Sequence, residues 1–296
     1  MVKRCGTVAL VGRPNMGKST LLNRLVGEKI AITAHRPQTT RHAIRGISTK
    51  GDDQFVYLDT PGLHGGGKKA LNRVLNRTAR GSLLDADVVV LLVQALQWSE
   101  DDQLAYEAVL RSDQPIILAI NKVDGVTDKK RMLPYLQRMP QSESIRHIVP
   151  ISAKNGEGVE LLESLIAELL PEGEHIYEED ELTDKNERFL ASEFIREQLT
   201  RQLNEELPYA LTVEIERFDH EPTGYRISAA VWVERDSQKG IVIGQGGEKL
   251  KEVGRRSREN MRDLFGVPVH LELWVKVRKD WSDDARALQA LGFQSE

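Results

Sequence analysis

The first half of the chain alternates short apolar runs with stretches that have a helical spacing of apolar residues. Strands that are almost continuously apolar and alternate with helices are typical of a mostly parallel sheet covered on both faces. The fold class predicted for this half is therefore α/β, with ligands at the carboxyl ends of the strands. We predict strands at residues 4–11, 54–58, 88–93, 115–120 and 147–150, and helices at residues 18–26, 69–84, 101–110, 129–138 and 159–170.

The pattern changes after residue 170. Residues 171–185 begin with a Pro-Glu-Gly-Glu turn and contain an acidic tract, which together predict a linker. Because 296 residues exceed what one hydrophobic core usually needs, we predict two domains, at residues 1–170 and 186–296. The second domain is expected to contain a helix from about residue 188, strands at 209–218 and 225–234, a basic helix at 248–263 and an alternating strand at 269–277.

Composition indicates a location and a charged face. The single cysteine, Cys5, cannot form an internal disulfide, and the longest apolar run, residues 88–93, is far too short to cross a membrane. We therefore expect a cytoplasmic protein.

The net charge of −4 conceals an asymmetry, since residues 222–279 carry twelve basic and seven acidic residues. A basic face would attract a polyanion, although mixed charges on solvated helices give the same count.

A glycine-rich loop follows the first predicted strand and opens the first predicted helix. Its sequence from Gly12 to Ser19, GRPNMGKS, fits the P-loop pattern in the context that this pattern requires. Backbone amides of such a loop surround phosphates, and the helix N-terminus adds further donors. Lys18 is expected to reach the β and γ phosphates, and Ser19 is expected to bind Mg²⁺. The expected phosphate contacts are Asn15, Met16, Gly17, Lys18, Ser19 and Thr20.

A second motif and a threonine complete the expected magnesium and γ-phosphate contacts. In the run DTPG, the Asp59 carboxylate can hold Mg²⁺ through a water molecule, and the Gly62 amide can meet the γ-phosphate. The run QTTR at residues 38–41 resembles the first switch of GTPases, in which a threonine binds magnesium only when the γ-phosphate is present. We choose Thr40 for this role, with Thr39 as the alternative. The expected catalytic residues are Lys18, Thr40 and Gly62.

Two motifs at the ends of the last two predicted strands select the base. In the run NKVD, the Asp124 carboxylate can accept from N1 and the exocyclic amine of guanine, while the Lys122 stem covers the base. In the run SAK, the Ala153 amide can donate to guanine O6. Four motifs in this order predict a GTPase domain of the translation-factor-like class that binds GTP or GDP with Mg²⁺. The expected base contacts are Asn121, Lys122, Asp124, Ser152, Ala153 and Lys154.

The second switch, expected at residues 62–70, departs from the small signalling GTPases. Those proteins carry a glutamine that orients the attacking water directly after the motif at Asp59, whereas this chain has Leu63. Leucine cannot orient or polarise water, so we expect slow intrinsic hydrolysis. Similar P-loops use the asparagine equivalent to Asn15 to hold a potassium ion beside the phosphates. Alternatively, Asn15 only braces the loop.

The run GQGG at residues 244–247 resembles the Gly-x-x-Gly signature of KH domains. In that family the loop joins two helices and grips the backbone of about four single-stranded nucleotides. The resemblance implies an α+β domain of the type II KH class and a helix at residues 240–243, although their propensity favours a strand. Trp274 and Trp281 are candidates for stacking on RNA, but we favour packing. The expected RNA contacts are Ile243, Gly244, Gln245, Gly246, Gly247, Lys249, Lys251 and Arg255.

The second half as a whole resembles the C-terminal domain of the Era family of GTPases. The resemblance is carried by the order of its elements, by PVHLELWVKV at residues 268–277, and by LPY at 207–209 and VEIE at 213–216. With the nucleotide motifs, it spans nearly the whole chain. It implies a GTP-hydrolysing switch that binds the 3′ end of 16S ribosomal RNA in small (30S) ribosomal subunit assembly. It also implies peripheral association with the inner face of the membrane, although no segment of this sequence resembles an amphipathic anchor. We expect a monomer.

Two other functions are compatible with parts of this pattern. One is an RNA-binding adaptor that senses the nucleotide with little turnover, which Leu63 makes possible. The other is a ribosome assembly GTPase with tandem GTPase domains and a KH-like tail, which the presence of one P-loop disfavours. The leading hypothesis is an enzyme in which GTP sets the placement of the two domains and hydrolysis releases the RNA.

Overall fold

The computed structural model describes residues 2–34, 36, 39–62, 81, 83–203, 207, 210–279 and 281. Within these residues the chain forms two compact units, each with its own sheet. The first unit contains residues up to 31, from 40 to 62 and from 81 to 184, and the second contains residues from 185 onward together with Ile32–Thr39. No helix in this part of the chain has the length and apolar character needed to cross a membrane.

The sheet of the first unit has six strands: β1 (Arg4–Val11), β2 (Ile44–Lys50), β3 (Asp53–Asp59), β4 (Val88–Gln94), β5 (Ile116–Asn121) and β6 (Ile145–Pro150). Their order is β2-β3-β1-β4-β5-β6, and all neighbouring strands are parallel except β2 and β3. The predicted α/β fold with a mostly parallel sheet is confirmed. The apolar residues of β4 and β5 are fully buried because these strands lie inside the sheet.

The helices that the structure describes completely in the first unit are α1 (Lys18–Val26), α2 (Glu100–Leu110), α3 (Met132–Leu136) and α4 (Val159–Leu169). Helix α3 is shorter than predicted, since Lys129–Arg131 form a separate 3-10 turn. The predicted helix at residues 69–84 lies mostly outside the described residues. Helix α2 begins at a capping box, in which Ser99 N–H donates to Asp102 Oδ2 at 2.9 Å.

In the residues that the structure describes, the second unit combines a three-stranded sheet with three α-helices. Its elements are α5 (Glu187–Gln202), β7 (Leu211–Glu221), β8 (Gly224–Val233), α6 (Asp236–Ile243), α7 (Glu248–Phe265) and β9 (Val269–Val277). Strand β8 lies in the middle, antiparallel to β7 and parallel to β9. Helices α5 and α7 pack on the sheet through a core that includes Phe194, Val231 and Met261. This arrangement agrees with the α+β KH domain that the sequence resemblance implied.

Hydrogen bonds attach the segment predicted as a linker to the sheet of the first unit. Gln54 on β3 is fully buried, and its Oε1 accepts from the N–H groups of Ile176 and Tyr177 at 2.7 and 3.0 Å. Its Nε2 donates to the Tyr177 carbonyl at 2.8 Å. Further along the segment, the Leu182 carbonyl accepts from the N–H of Ile47 on β2 at 2.9 Å. Residues 171–184 therefore pack on the first unit.

Candidate functional site

The loop between β1 and α1 depends on glycine at two close approaches. Gly12 has a φ of +152°, and a Cβ at this residue would lie 2.5 Å from the Leu92 carbonyl oxygen. Gly17 has a φ of +93°, and its Cβ would lie 2.5 Å from Nδ2 of Asn121. No side chain fits at either position. Asn15 is exposed and also has a left-handed backbone, with a φ of 64°.

Lys18 occupies the first position of α1 and is only 6% exposed. Its Nζ donates to the carbonyls of Gly12 and Arg13 at 2.9 and 3.2 Å. Burial lowers the pKa of Lys18 to about 8, while the Asp59 carboxylate opposes this change and Arg13 adds to it. A desolvated ammonium inside a loop of backbone amides is well suited to neutralise phosphate oxygens. Thr20 lies in the same helical turn and is partly buried.

Ser19, Thr40 and Asp59 meet where the sequence predicted magnesium. Ser19 Oγ lies 2.8 Å from Thr40 Oγ1 and 2.5 Å from Asp59 Oδ2, and Thr40 Oγ1 lies 3.3 Å from that carboxylate oxygen. Burial raises the pKa of Asp59, whereas Lys18 and the two hydroxyls lower it. Asp59 Oδ1 is buried and has no hydrogen-bond partner among the described residues. Two hydroxyls and a carboxylate with an unused oxygen therefore fit a magnesium ion.

The structure separates the two candidate threonines of the first switch. Thr40 lies beside Ser19, whereas Thr39 Oγ1 donates to the Arg36 carbonyl at 2.7 Å. The Thr39 carbonyl accepts from Nη2 of Arg196 on α5 at 2.5 Å. Thr40 is thus the threonine that the structure brings to the predicted magnesium centre. Gln38, at the start of this motif, lies outside the described residues.

Gly62 packs directly against the P-loop. A Cβ at Gly62 would lie 2.6 Å from the backbone nitrogen of Pro14 and 2.9 Å from its Cα, so this approach requires glycine. The motif at Asp59 therefore ends beside the loop that is expected to hold the phosphates. Leu63 and the remainder of the predicted second switch lie outside the described residues.

The residues predicted to bind the base are connected to one another and to the P-loop. Asn121 Nδ2 donates to the Met16 carbonyl at 2.7 Å, and Ser152 Oγ donates to Oδ1 of Asp124 at 2.7 Å. Asp124 is exposed, which leaves its second carboxylate oxygen accessible. The Ala153 N–H, expected to face guanine O6, instead donates to Asn121 Oδ1, because the loop places this amide 2.9 Å from that oxygen.

Lys122 directly follows β5, and its side chain is held at the end of β4. Its backbone is left-handed, with a φ of 67°, and its Nζ donates to Oε1 of Gln94 at 3.1 Å. Burial lowers the pKa of Lys122, Arg13 lowers it further, and Asp124 opposes both effects. The lysine therefore connects the β4 end of the site with the loop that carries Asp124.

Two arginines that support the site were not predicted from the sequence. Arg24 on α1 donates to the carbonyls of Ala153 and Lys154, from Nε at 2.9 Å and from Nη2 at 2.6 Å. Arg13 Nε lies 3.0 Å from both carboxylate oxygens of Asp102, which is fully buried at the start of α2. These contacts join residues far apart in sequence, so no motif spacing indicates them.

In the second unit, residues 244–247 form the loop between α6 and α7. Gly246 and Gly247 are left-handed, with φ values of +59° and +80°, and no atom lies within 4 Å of a Cβ built on either residue. At Gly244, by contrast, a Cβ would lie 2.8 Å from the Cβ of Lys249. The backbone at Gly246 and Gly247 is therefore open to an approaching ligand, as in the Gly-x-x-Gly loop that the sequence predicted.

The aliphatic residues before this loop alternate between core and surface. Val242 is fully buried and Ile243 packs against the core, whereas Ile241 is 49% exposed. Their strand propensity therefore predicted the wrong element, and the KH resemblance predicted the right one. Ile241 was not among the predicted RNA contacts, although its exposure beside the open loop makes it an apolar neighbour of that surface.

Some of the arginine side chains on α7 form ion pairs with glutamates of the same helix. Arg255 pairs with Glu252 at 2.8 Å and with Glu259 at 2.5 Å, and Arg256 pairs with Glu252 at 2.6 Å. Hydrogen bonds from these two arginines lower the pKa of Glu252 to about 2. Exposed pairs of this kind contribute little to stability because water screens them, so phosphate can compete for the arginines. In the part of the chain that the structure describes, Lys249, Lys251 and Arg258 have no ion pair.

The two candidate stacking tryptophans differ in exposure. Trp281 is fully buried, and its Nε1 donates to the Ala210 carbonyl at 3.1 Å, so it packs inside the second unit. Trp274 is partly buried on β9, and the Lys276 ammonium lies 5.8 Å from the centre of its ring. Packing is therefore the role of Trp281, as favoured from the sequence.

Comparison with known proteins relates both units to described families. The family described as 50S ribosome-binding GTPase matches residues 7–122, and the KH domain family matches residues 206–282. GTPase Era of Pseudomonas aeruginosa (strain LESB58) is 51% identical over 290 residues, which cover 98% of this chain and 95% of that protein. GTPase Era of Xanthomonas campestris pv. campestris (strain B100) is 51% identical, with 98% and 97% covered.

Two solved structures are similar over nearly the whole length. The crystal structure of Era in complex with MgGDPNP and nucleotides 1506–1542 of 16S ribosomal RNA is 36% identical, with a TM-score of 0.94. The similarity covers 99% of this chain and 100% of that chain. A variant of Aquifex aeolicus Era bound to GDP and AlF4⁻ has the same identity, TM-score and coverage.

Proposed function

Because the chain belongs to the Era family of GTPases and therefore hydrolyses GTP, we propose that it binds the 3′ end of 16S ribosomal RNA during assembly of the small (30S) ribosomal subunit. The observation that carries the RNA half of this proposal is the open backbone at Gly246 and Gly247. The similarity to Era in complex with a 16S ribosomal RNA fragment supports the choice of RNA. We assign the nucleotide reaction to residues 1–170, RNA binding to 186–296 and the connection to 171–185.

We propose that Ser19 and Thr40 hold Mg²⁺ and that Asp59 holds it through water. The cluster of their oxygens and the unused Asp59 Oδ1 support this assignment. Magnesium supplies charge neutralisation at the β and γ phosphates. Lys18 binds the same phosphates, and the Gly62 amide donates to the γ-phosphate, for which its close approach to the P-loop is suited. Both Thr40 and Gly62 thereby distinguish GTP from GDP.

Guanine selection is assigned to Asp124, whose carboxylate accepts from N1 and the exocyclic amine. Adenine offers no such pair of donors, so the carboxylate would have no partner on that base. The hydrogen bond from Ser152 fixes the orientation of this carboxylate, and Asn121 keeps the base site in register with the P-loop. These two contacts support the assignment of Asp124 and Asn121 to one base site.

We further propose that Asn15 holds a potassium ion beside the phosphates. Its side chain is exposed and makes no hydrogen bond to any described residue, so its amide oxygen is free to bind a cation. The alternative, that Asn15 braces the loop, has no hydrogen bond to support it among these residues. A cation at this place would stabilise the negative charge that develops on the γ-phosphate, which Leu63 cannot do.

The cell location follows from the family resemblance and from the single cysteine. We propose a cytoplasmic monomer that associates peripherally, if it reaches a membrane, with the inner membrane face. Cys5 is free and buried, which suits a reducing compartment.

A single-turnover hydrolysis assay with Mg²⁺ and K⁺, with and without a 16S ribosomal RNA 3′-end oligonucleotide, tests this function. The proposal predicts that bound GTP is converted to GDP and that RNA affinity changes with the conversion. Leu63 keeps one alternative open, an RNA-binding adaptor with little turnover. Nucleotide-dependent RNA binding without product formation, both alone and with RNA, would establish that alternative.

A further inference from the structure

Arg24 lies in the last turn of α1, at the opposite end of the helix from Lys18. Its guanidinium reaches the loop that follows β6, where Nε donates to the Ala153 carbonyl at 2.9 Å and Nη2 donates to the Lys154 carbonyl at 2.6 Å. Two charged donors therefore hold two successive backbone carbonyls. Charge-assisted bonds of this paired kind are stronger and more directional than ordinary hydrogen bonds.

The loop held by Arg24 also holds the carboxylate that is assigned to guanine. Ser152, directly before Ala153, donates from Oγ to Asp124 Oδ1 at 2.7 Å. The same hydroxyl oxygen accepts from the N–H of Asn155 at 3.1 Å. A shift of the loop would therefore move Ser152 and release Asp124. Arg24 itself contacts neither Asp124 nor Ser152 through a hydrogen bond, so its effect passes through the loop.

The loop leaves room for the guanidinium by placing a glycine beside it. Gly156 has a φ of +91°, and a Cβ at this residue would lie 3.1 Å from Nη1 of Arg24. The Gly156 N–H donates to the Ser152 carbonyl at 2.8 Å, which closes the turn. The left-handed backbone and the close contact with Arg24 thus both favour glycine at residue 156. A lysine in place of Arg24 has a single ammonium and could not reach both carbonyls in the same way.

We propose that Arg24 is a positioning residue for guanine selection. Through the carbonyls of Ala153 and Lys154 it fixes the loop from which Ser152 orients Asp124. Because α1 also carries Lys18 and Ser19 in its first turn, the helix sets the distance between the phosphate end and the base end of the site. The inference rests on the proposed base site and adds to it a residue that contacts neither base nor phosphate.

The test compares the affinities of the full-length chain for GDP and for inosine diphosphate. Inosine diphosphate lacks the exocyclic amine that is proposed to donate a hydrogen bond to Asp124. The ratio of these affinities reports the Asp124 contact and is insensitive to overall stability. In Arg24→Ala we expect the ratio to fall at least about five-fold and GDP to dissociate at least about ten-fold faster, since two charge-assisted bonds are lost. Arg24→Lys, which keeps the charge on a single donor nitrogen, should lie between wild type and Arg24→Ala.

Asp124→Asn is the control for the base site and should shift preference from GDP towards xanthosine diphosphate. If this variant shows the shift while folded Arg24→Ala keeps the wild-type ratio, the positioning role is wrong and the base site stands. If Asp124→Asn shows no shift, the base site is wrong and the inference fails with it. Should Arg24→Ala not fold, Arg24→Lys decides, because a wild-type ratio in that variant would also overturn the proposal.

Discussion

Lys18 places a buried positive charge in the nucleotide site, and this burial changes its pKa. Its burial lowers the pKa from 10.5 to about 8, so the folded chain holds the proton less tightly than the unfolded chain does. The nucleotide-free protein should therefore gain stability as the pH rises from about 8 towards 10.5. Bound phosphates favour the charged ammonium and raise its pKa again. Binding of a nucleotide above pH 8 must then take up a proton.

The first prediction concerns this proton. Between pH 7 and 7.5, where the terminal phosphate of GDP is mostly ionised, the affinity for GDP should be nearly constant, and from pH 8 to 9 it should fall by up to about ten-fold. Lys18→Arg keeps its charge throughout this range and should lose the dependence, even if its affinity is lower overall. Isothermal titration at several pH values measures both. A wild-type affinity that stays flat to pH 9 would show that Lys18 is already fully charged without nucleotide.

The second prediction concerns the cation beside the phosphates. Replacing potassium by sodium at constant ionic strength should slow GTP hydrolysis by wild type, because the site at Asn15 is proposed to hold the larger ion. Asn15→Ala should hydrolyse GTP equally slowly in both salts. Single-turnover rates of GTP hydrolysis give the comparison. Equal wild-type rates in sodium and potassium would show that Asn15 does not hold a potassium ion that speeds hydrolysis.

The sequence motifs predicted the residues that are expected to contact the nucleotide. They did not predict the residues that hold those contact residues in place. Lys18, Ser19 and Asp59 each belong to a short run whose order along the chain is informative. Arg24 belongs to no such run, since its partners lie 129 and 130 residues away. A spacing of that size is set by the fold, and a single sequence carries no signal for it.

Among the elements of the first unit, strand β3 holds the middle of the segment after residue 170 through the buried side chain of Gln54. Gln54 uses both lone pairs of its oxygen and both hydrogens of its nitrogen, which is the full capacity of a side-chain amide. Among its partners are the N–H groups of Ile176 and Tyr177. Without Gln54 those backbone N–H groups would lose their acceptor on β3, and each lost hydrogen bond weakens the attachment of the segment.

The third prediction follows from this contact. Gln54→Ala should weaken the attachment of the segment by about 1–3 kcal/mol, because two partly buried backbone donors lose their acceptor. Amide hydrogen exchange at Ile176 and Tyr177 should become correspondingly faster. Thr49→Ala is the matched control, since the Thr49 hydroxyl accepts from Gln54 Nε2 at 2.9 Å and makes no hydrogen bond to the described residues of the segment. Unchanged exchange at the two amides in Gln54→Ala would show that other contacts hold the segment.

Periodicity predicted most elements of both units, and its failures have physical causes. Strand β2 was missed because it is an antiparallel edge strand whose sequence, IRGISTK, mixes apolar and polar residues without a clear period. Residues 240–243 have strand propensity but lie in α6, where only Val242 is fully buried. Local preference is outweighed there by packing, so the family resemblance was the better guide.

At the scale of the whole molecule, the boundary between the two units falls inside the predicted first switch. Thr40 belongs to the first unit with Ser19 and Asp59, whereas Ile32–Thr39 belong to the second. In that segment, the Thr33 N–H donates to Oε1 of Glu197 on α5 at 2.9 Å. A residue proposed to sense the γ-phosphate is therefore adjacent in sequence to a segment held by the RNA-binding unit, which suits a GTP-dependent RNA switch.

Substitutions at Gly246 test whether this GTPase binds RNA through the loop at residues 244–247. Aspartate and asparagine tolerate the left-handed backbone of Gly246 better than other residues, and no atom lies within 4 Å of the new Cβ, so both variants should fold. Gly246→Asp adds a negative charge where the RNA backbone must approach, whereas Gly246→Asn adds nearly the same bulk without charge.

The measurement is the affinity of the full-length chain for a 16S ribosomal RNA 3′-end oligonucleotide, followed by fluorescence anisotropy at two salt concentrations. Gly246→Asp should bind at least about ten-fold more weakly than wild type, or about 1.4 kcal/mol, with unchanged GTP affinity. Gly246→Asn should lose less, and wild-type binding should weaken with added salt. If folded Gly246→Asp binds the RNA as tightly as wild type, the loop is not the RNA site and the account is wrong.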